Sequence, residues 1–333
     1  MDPPGFYPQQ QDESIEIPIH RTTLSVPGLL QWPGSTYNDV ATATDTSSSR
    51  LDRQVSEEDD PELGPLPGFL QRPQDPARMQ LTEQERQWAL HVKAALQSEP
   101  ELDMLSDFMC AQIAIIESGN IEQSIERAFK LQYYKQEFDI LDNFQAGKRV
   151  LERYPQKWPG HLLHFLYMDA IGVFGVILDF CRLDTTVLST LEGKNVFFSC
   201  CYYFLQAFNL DFEAVRQGPF VILECAGYRW REQKMADMTL FRMVLEDGAA
   251  FYPSKYYKLR LSNAGVFINV MVSMVRRFIP SEIYDKFELV SHTDVRLDEI
   301  CLVPNAEIAE KRVFRNLTET LRRRFENEKA FRL

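Results

Sequence analysis

Histidine and carboxylate side chains fall near the ends of several predicted strands, and these residue types serve proton transfer or metal binding. They are His161, His164, Asp169, Asp179 and Glu224. Their spacing matches no metal-ligand pattern, and the two histidines, three positions apart, would share a face only in a helix. The chain also contains no GxSxG elbow, phosphate-binding loop, GxGxxG fingerprint or HExxH motif. We therefore predict a protein that is not an enzyme and holds no cofactor or metal, and keep an enzyme that uses Asp169, Asp179 or Glu224 as an alternative.

Apolar side chains indicate a second kind of chemistry, the binding of a hydrophobic molecule. The predicted helix 265–279 is apolar on nearly every face, yet it is shorter than the about 20 residues needed to span a bilayer. Such a helix must be buried by something. The predicted helix 194–215 adds many aromatic residues, so the domain has a surplus of apolar surface. That surplus either lines a cavity or fills a large packed core, and composition leaves both alternatives open.

The composition is that of a mildly acidic globular protein. The 333 residues are 45% hydrophobic and carry a net charge of −12. Residues 1–80 contain thirteen acidic and five basic side chains, so most of the net negative charge of the chain lies there. A concentrated basic surface for nucleic acid is not indicated. The six cysteines form no CxxC pair and no apolar signal segment is present, so we expect reduced thiols and a cytoplasmic protein.

Four regions are predicted along the chain. Residues 1–80 are rich in proline, serine and acidic side chains and are expected to be disordered. Residues 81–155 form a small helical lobe, which begins at the capping box Thr82-x-x-Glu85. Residues 156–292 form the main domain. Residues 293–333 supply a loop and an amphipathic C-terminal helix, whose apolar row is Val313, Leu317, Leu321 and Phe325.

Two interpretations of the C-terminal helix remain open. Three basic residues, Arg322 to Arg324, lie beside its apolar row. The helix either packs on the body with a solvated basic face, or docks on a membrane surface or a partner helix.

The hydrophobic periodicity of the main domain predicts a mixed sheet of five strands. The turn sequence Asp169-Ala-Ile-Gly172 joins the first two strands as an antiparallel hairpin. Helical segments, among them about 238–250, separate the later strands, which predicts crossovers and an α/β fold. The strands are expected at about 164–168, 173–180, 220–225, 256–262 and 286–290.

The stretch 218–289 resembles the CRAL-TRIO lipid-binding family, which includes the tocopherol transfer protein and cellular retinaldehyde-binding protein. The segments 164–180 and 102–152 are similar to the family's opening hairpin and helical N-terminal lobe. The motifs that carry the resemblance follow one another in the family's order: Gly218 to Gly227 for its Gly-x-x-Val-x-x-Asp-x-x-Gly strand, Tyr252-Pro253, Asn263-Ala264 for Asn-x-Pro, Arg276-Arg277-Phe278 for Lys-Pro-Phe, and Lys286 to Leu289 for the final strand.

This resemblance implies a three-layer α/β domain with a lipid cavity between the sheet and a mobile gate helix, here 265–279. Each methylene group buried in such a cavity contributes about 0.8 kcal/mol, so a chain of ~15 carbons recovers on the order of 12 kcal/mol. The implied ligand-binding residues lie on the gate and on the elements that face it: Val266, Phe267, Val270, Met271, Met274, Phe204, Val221, Leu223 and Leu261.

The resemblance also implies where the protein meets a membrane. In the tocopherol transfer protein, basic residues after Tyr-Pro and at the end of the gate helix contact phosphoinositides, and Lys255 and Arg276 occupy matching positions. Tyr257 replaces a second basic residue, but Lys258 lies one step on, and with Arg277 these residues form a proposed patch. Ordinary solvated charge is the alternative. Family members that transfer phosphatidylinositol carry a glutamate where this chain has Met243, so inositol-headgroup recognition is not implied. The patch residues are Lys255, Lys258, Arg276 and Arg277.

The function predicted from these observations is binding of a hydrophobic small molecule or lipid and its transport between membranes, with transient association at the membrane surface. The alternative is an adaptor in which the same fold has a filled cavity and the C-terminal helix recruits a protein partner. The sequence does not identify the ligand.

Overall fold

The structure is a computed structural model that describes residues 63–99, 102, 105–168, 173–227, 254–276, 284–292 and 305–333. Predictions for residues 1–62, for the helix at about 238–250 and for the hairpin turn 169–172 lie outside the described residues.

The helices that precede the sheet begin and end at the signals read from the sequence. The capping box is present, since Glu85 N donates to Thr82 Oγ1 at 3.2 Å and Thr82 N donates to Glu85 Oε2 at 2.8 Å. Gly119 follows the third helix with a φ of +79°, and Asn120 caps the fourth. The helices are α1 (Gly68–Gln71), α2 (Glu83–Gln97), α3 (Asp107–Ile116), α4 (Ile121–Glu137) and α5 (Phe144–Lys157).

A five-stranded sheet follows, with its strands in sequence order across the sheet. The first two strands are antiparallel and the remaining neighbours are parallel, so the predicted mixed sheet and its opening hairpin are confirmed. The strands are β1 (Leu162–Met168), β2 (Val173–Asp179), β3 (Phe220–Glu224), β4 (Lys258–Ser262) and β5 (Phe287–Leu289).

Helices connect the parallel strands, as an α/β fold requires. Between β2 and β3 the chain forms α6 (Thr185–Leu188), α7 (Leu191–Phe208) and α8 (Phe212–Gln217). Helix α9 (Val266–Val275) follows β4, and α10 (Ala306–Ala330) is the last element of the chain.

The strand register assigns side chains to two faces of the sheet. Val176, Val221 and Leu259 are aligned on β2, β3 and β4, and this side is called the inner face. It packs against α7, where Phe165 of β1 stacks on Phe208 at 5.5 Å between ring centroids. The opposite side, called the outer face, carries Ile177, Ile222 and Arg260 in the same way, together with Lys258 and Glu288 of β4 and β5. The outer face of β4 is therefore charged.

One apolar core joins the sheet to the helices that were predicted as a separate N-terminal lobe. It runs from α2 through α3, α4, α5 and α7 to the inner face of the sheet and to α10. Gly147 of α5 shows how close the packing is, since a Cβ there would lie 2.7 Å from Leu321 of α10. The helices and the sheet therefore fold around a common centre.

Helix α10 is part of that core. Its predicted apolar row is buried, with Leu317 and Leu321 at 0% exposure. Arg324 is also fully buried, with its guanidinium 3.8 Å from the centroid of Phe108 and 2.9 Å from Glu328. The row contacts the protein's own body, in agreement with the first interpretation, and is not available to a partner helix.

Residues 63–80, which precede the predicted start of the helical lobe at residue 81, also belong to the folded body. Arg312 Nε donates to Leu63 O at 2.8 Å and Arg315 Nη1 donates to Gly64 O at 2.7 Å, so guanidinium groups of α10 hold the main chain of this segment. Phe69 packs edge-on against Phe174 of β2 at 5.4 Å. Of the region predicted as disordered, residues 63–80 are thus packed on the body.

Candidate functional site

Helix α9 covers one end of the inner face. Ile268 and Val272 are 2% and 3% exposed and pack against Leu261 of β4, with Cys225 and Ala264 completing the cluster. Leu223 of β3 packs against the same cluster and is half-buried. The helix predicted as a gate thus lies on the sheet through residues at positions i and i+4 of one face.

The other side of α9 faces outward. Val266 is 82% exposed and Val270 is 49% exposed, on the helix face opposite Ile268 and Val272. The side chains of Phe267, Met271 and Met274 lie outside the described residues. Val266 and Val270, which were predicted to face the ligand, thus lie on the side of α9 that points away from the sheet. Sequence reasoning missed Ile268 and Val272 because a helix apolar all round offers no periodicity from which to choose the buried face.

Half-buried apolar side chains lie on the inner face of β2 and β3 and on α7. Leu178 and Leu223 are register partners on β2 and β3, Val221 lies two positions before Leu223 on the same face, and all three are half-buried. On α7, Cys201 and Leu205 are half-buried in the same way and pack on the core to which Leu178 and Val221 belong. We call these five residues the apolar wall. Phe204, also predicted as a ligand contact, is instead buried and packs edge-on against Tyr154 of α5 at 5.8 Å.

Tyr256 and Cys201 are close enough for the thiol to act on the ionisation of the phenol. Tyr256 precedes β4 and is half-buried by accessible surface, yet burial raises the pKa of its phenol to about 12, with the nearby Cys201 as a further cause. Cys201 is likewise half-buried, and burial raises the pKa of its thiol to about 12.

Glycine 218 sets the position of this tyrosine. Its φ is +79°, and a Cβ added to it would lie 2.2 Å from the carbonyl oxygen of Lys255. Only glycine combines that backbone conformation with so close an approach. The segment that carries Lys255 and Tyr256 therefore passes directly over the start of β3.

The described residues of the predicted basic patch contact different parts of the protein. Lys255 Nζ donates to Ile115 O at the end of α3, and burial lowers the pKa of its ammonium group. Lys258 pairs with Glu288 of β5 at 3.6 Å on the outer face. Arg276 is exposed and lies over the ring of Tyr284 at 4.5 Å. Arg277 lies outside the described residues, and the membrane role of the four remains a prediction.

The candidate acid–base residues are held in separate surroundings. His161 is 3% exposed, its Nδ1 lies 2.6 Å from the hydroxyl of Tyr154, and burial lowers its pKa to about 4. Asp179 and Glu224 are neighbours at the ends of β2 and β3, where burial raises the pKa of Asp179. Asp169 lies outside the described residues. Within the described ranges, no group of three or more histidine, cysteine or acidic side chains is placed to hold a metal ion.

The carboxylate of Glu224 accepts hydrogen bonds that join two segments of the fold. Its Oε1 accepts hydrogen bonds from Ala226 N at 2.8 Å and from Asn263 Nδ2 at 2.6 Å. These bonds tie the end of β3 to the residue that leads from β4 into α9. They connect two of the motifs on which the sequence resemblance rests.

No helix among the described residues is long and apolar enough to cross a bilayer.

Comparison with known proteins supports the resemblance read from the sequence. Residues 160–303 match the family model of the CRAL/TRIO domain, so the predicted resemblance is confirmed over this segment. Among solved structures, one titled "Crystal structure of Sfh5" matches with 12% identity and a TM-score of 0.44, over 64% of this chain and 82% of that chain. No curated protein matches the chain.

Proposed function

We propose that this protein, whose residues 160–303 match the lipid-binding CRAL/TRIO domain family, binds one hydrophobic ligand against the apolar wall and exchanges it with membranes. Helix α9 is the element that opens and closes the site. No covalent chemistry is needed, because moving a lipid between a bilayer and an apolar site exchanges one apolar environment for another.

The observation that carries this proposal is the two-sided character of α9. Ile268 and Val272 bury one side on the sheet, while Val266 and Val270 expose the other to solvent. Leu289 of the edge strand β5 is a further exposed apolar residue, at 42%, and the next residue, Val290, accepts a hydrogen bond from Ala264 N at 2.9 Å. An exposed apolar patch on a helix that already has a buried side is typical of a surface that meets a bilayer.

The half-buried side chains of the apolar wall support the binding half of the proposal. Leu178, Val221 and Leu223 lie on central strands, where a fully packed core would leave no accessible surface. A ligand chain lying against them removes that surface from water, which stabilises the complex by roughly 25 cal/mol for each Å² buried.

Native mass spectrometry of the purified full-length chain tests the proposal. After incubation with phosphatidylcholine vesicles that contain hexadecanol, the chain should carry one added hexadecanol mass, and the hexadecanol should pass to acceptor vesicles of phosphatidylcholine alone. A chain that stays free of lipid in this assay would contradict the proposed function and favour an adaptor with a filled interior.

A further inference from the structure

The C-terminal end of α9 contacts the segment before β5 through one charged residue. Arg276 directly follows the helix and is exposed, and its guanidinium carbon lies 4.5 Å from the centroid of the Tyr284 ring. A guanidinium at this distance is attracted by the negative face of the aromatic system. Within the described ranges no carboxylate pairs with Arg276, so the ring is the partner of this cation.

Tyr284 is itself fixed to the sheet. Its ring stacks on Phe287, the first residue of β5, with 6.1 Å between the centroids and 26° between the ring planes. Phe287 is aligned with Leu259 of β4. Both rings also pack against the apolar cluster that buries one side of α9. The contact between Arg276 and Tyr284 therefore joins the end of the helix to the edge of the sheet.

The two ends of α9 are held in different ways. Before its start, main-chain bonds from Asn263 N to His292 O at 3.2 Å and from Ala264 N to Val290 O at 2.9 Å fix the backbone. At its end the cation–π contact lies at an exposed position, where such a contact shifts an equilibrium by only about two- to fivefold. Of these attachments among the described residues, the weaker one is at the C-terminal end.

We propose that Arg276 and Tyr284 form a latch, which holds the C-terminal end of α9 on the sheet and sets how often the helix uncovers Leu223 of the apolar wall. This inference rests on the proposed function, in which α9 opens the site, and it adds the two side chains that control the opening. Because the contact is weak and exposed, it favours the closed position without preventing α9 from leaving. The C-terminal end then separates first, and the main-chain bonds at residues 263 and 264 act as the hinge.

A double-mutant cycle measured by amide hydrogen exchange tests the latch in the absence of lipid. Arg276→Gln removes the cation, and Tyr284→Leu removes the ring but leaves an apolar side chain against Phe287. Arg276→Gln should speed exchange within residues 266–275 about two- to fivefold in the wild-type chain and should have no further effect in the Tyr284→Leu chain. Tyr284→Phe keeps an aromatic face under the guanidinium and should exchange as the wild type does.

Lys258→Gln is the matched control for charge. It removes one positive charge at another contact with a tyrosine, since Lys258 Nζ lies 6.0 Å from the centroid of the Tyr257 ring. Exchange within α9 should stay as it is in the wild type.

Transfer of hexadecanol from the loaded chain to vesicles connects the latch to the proposed function. The acceptor vesicles consist of phosphatidylcholine alone, so that the lost charge of Arg276 does not itself weaken attachment to an anionic surface. Arg276→Gln should speed the transfer by the same factor as amide exchange in α9, and Lys258→Gln should leave the transfer rate unchanged.

The outcomes separate the latch from the proposed function. Unchanged exchange of α9 in Arg276→Gln, or equal acceleration with and without the Tyr284 ring, would overturn the latch whether or not the chain binds lipid. Faster exchange with unchanged transfer would also overturn it, because the contact would then not control access to the site. A chain that takes up no hexadecanol would contradict the proposed function, and the exchange cycle would still decide whether Arg276 and Tyr284 hold α9.

Discussion

The Glu224 carboxylate accepts a 2.6 Å hydrogen bond from the side-chain amide of Asn263, and this bond fixes where α9 begins. Asn263 has a φ of +52°, a left-handed conformation that asparagine tolerates better than most residues. Gly265 follows two positions later as the N-terminal flanking residue of α9, and it makes no side-chain cap. The start of the proposed gate is therefore held by this side-chain bond and by the main-chain bonds from Asn263 N to His292 O and from Ala264 N to Val290 O, and not by a side-chain cap of its own.

Replacing Asn263 should loosen α9 before it unfolds the protein. Asn263→Ala removes the bond to Glu224. It also puts alanine, which tolerates positive φ less well than asparagine does, at this position. Together these changes should lower the free energy of unfolding by about 2 kcal/mol. Amide hydrogen exchange within residues 266–275 should become faster, while exchange in α7 stays unchanged.

Asn263→Gly is the matched control for the backbone. Glycine accepts the positive φ without strain, so this variant isolates the loss of the hydrogen bond. It should be less destabilised than Asn263→Ala and should show the same faster exchange in α9. Equal protection of α9 in the wild type and in both variants would contradict a role of this bond in holding the helix.

The outward face of α9 should govern attachment to vesicles. Val266→Asp combined with Val270→Asp puts charge on two exposed positions, so folding should be unaffected while partitioning onto phosphatidylcholine and phosphatidylserine vesicles falls tenfold or more, by an order-of-magnitude estimate. Vesicle co-sedimentation measures the loss. Leu191→Asp changes a residue that is 77% exposed at the start of α7 and should leave attachment as it is. A similar loss in both variants would mean that α9 is not the docking element.

Acid should destabilise the protein through His161. Burial lowers its pKa from 6.5 to about 4, so between these pH values the unfolded chain binds a proton that the folded chain does not. Stability is therefore full above pH 6.5 and falls as the pH drops towards 4, by roughly 3 kcal/mol for this group. Urea unfolding of the wild type and of His161→Asn across this range should show a shallower pH dependence in the variant. If the free energy of unfolding depends on pH in the same way in both proteins, the acid sensitivity arises from groups other than His161.

Arg324 should contribute more to stability than its neighbour Arg322. Arg324→Ala leaves Gln112 and Glu328 without their buried partner and opens space beside Phe108, which should cost about 3 kcal/mol or more. Arg322 is 41% exposed in its pairing with Glu319, so Arg322→Ala should cost at most about 1 kcal/mol. Thermal unfolding of both variants measures the difference. An equal loss of stability in the two variants would show that the buried guanidinium of Arg324 contributes no more than the partly exposed one of Arg322.

The sequence predicted the elements of the fold better than the directions of their side chains. The strand positions, the mixed sheet and the cap of α2 followed from local patterns, because turn residues and capping side chains act over a few positions. Arg322 to Arg324 appeared to be one basic face, but three consecutive helical positions point in different directions. Arg324 is consequently buried while Arg322 is partly exposed.

The candidate site was predicted in part. The helix proposed as a gate and the strands on which it packs were located from the motif order, which fixes the sequence of elements. Tyr256 could not be found in this way, because it lies in an irregular segment before β4, where no periodicity defines a direction. Its position depends on the close approach of Lys255 to Gly218, a tertiary contact between residues 37 positions apart.

Two adjacent cysteines give an independent test of access to the apolar wall. Cys201 is half-buried beside Tyr256, whereas Cys200 is fully buried on the same helix. An alkyl maleimide should therefore modify Cys201 and spare Cys200, and bound hexadecanol should slow the reaction. Because burial raises the pKa of the Cys201 thiol to about 12, the reaction should be slow at neutral pH and accelerate as the pH rises from 7 to 9.

Single variants assign the reaction to one thiol. Cys200→Ser should keep the labelling that hexadecanol slows, and Cys201→Ser should lose it, as read by peptide mass mapping. Labelling of Cys201 at the same rate with and without hexadecanol would place the ligand away from α7. Protection of Cys201 together with unchanged labelling of the half-buried Cys181 would instead locate the ligand at the apolar wall, because a general tightening of the fold would slow both thiols.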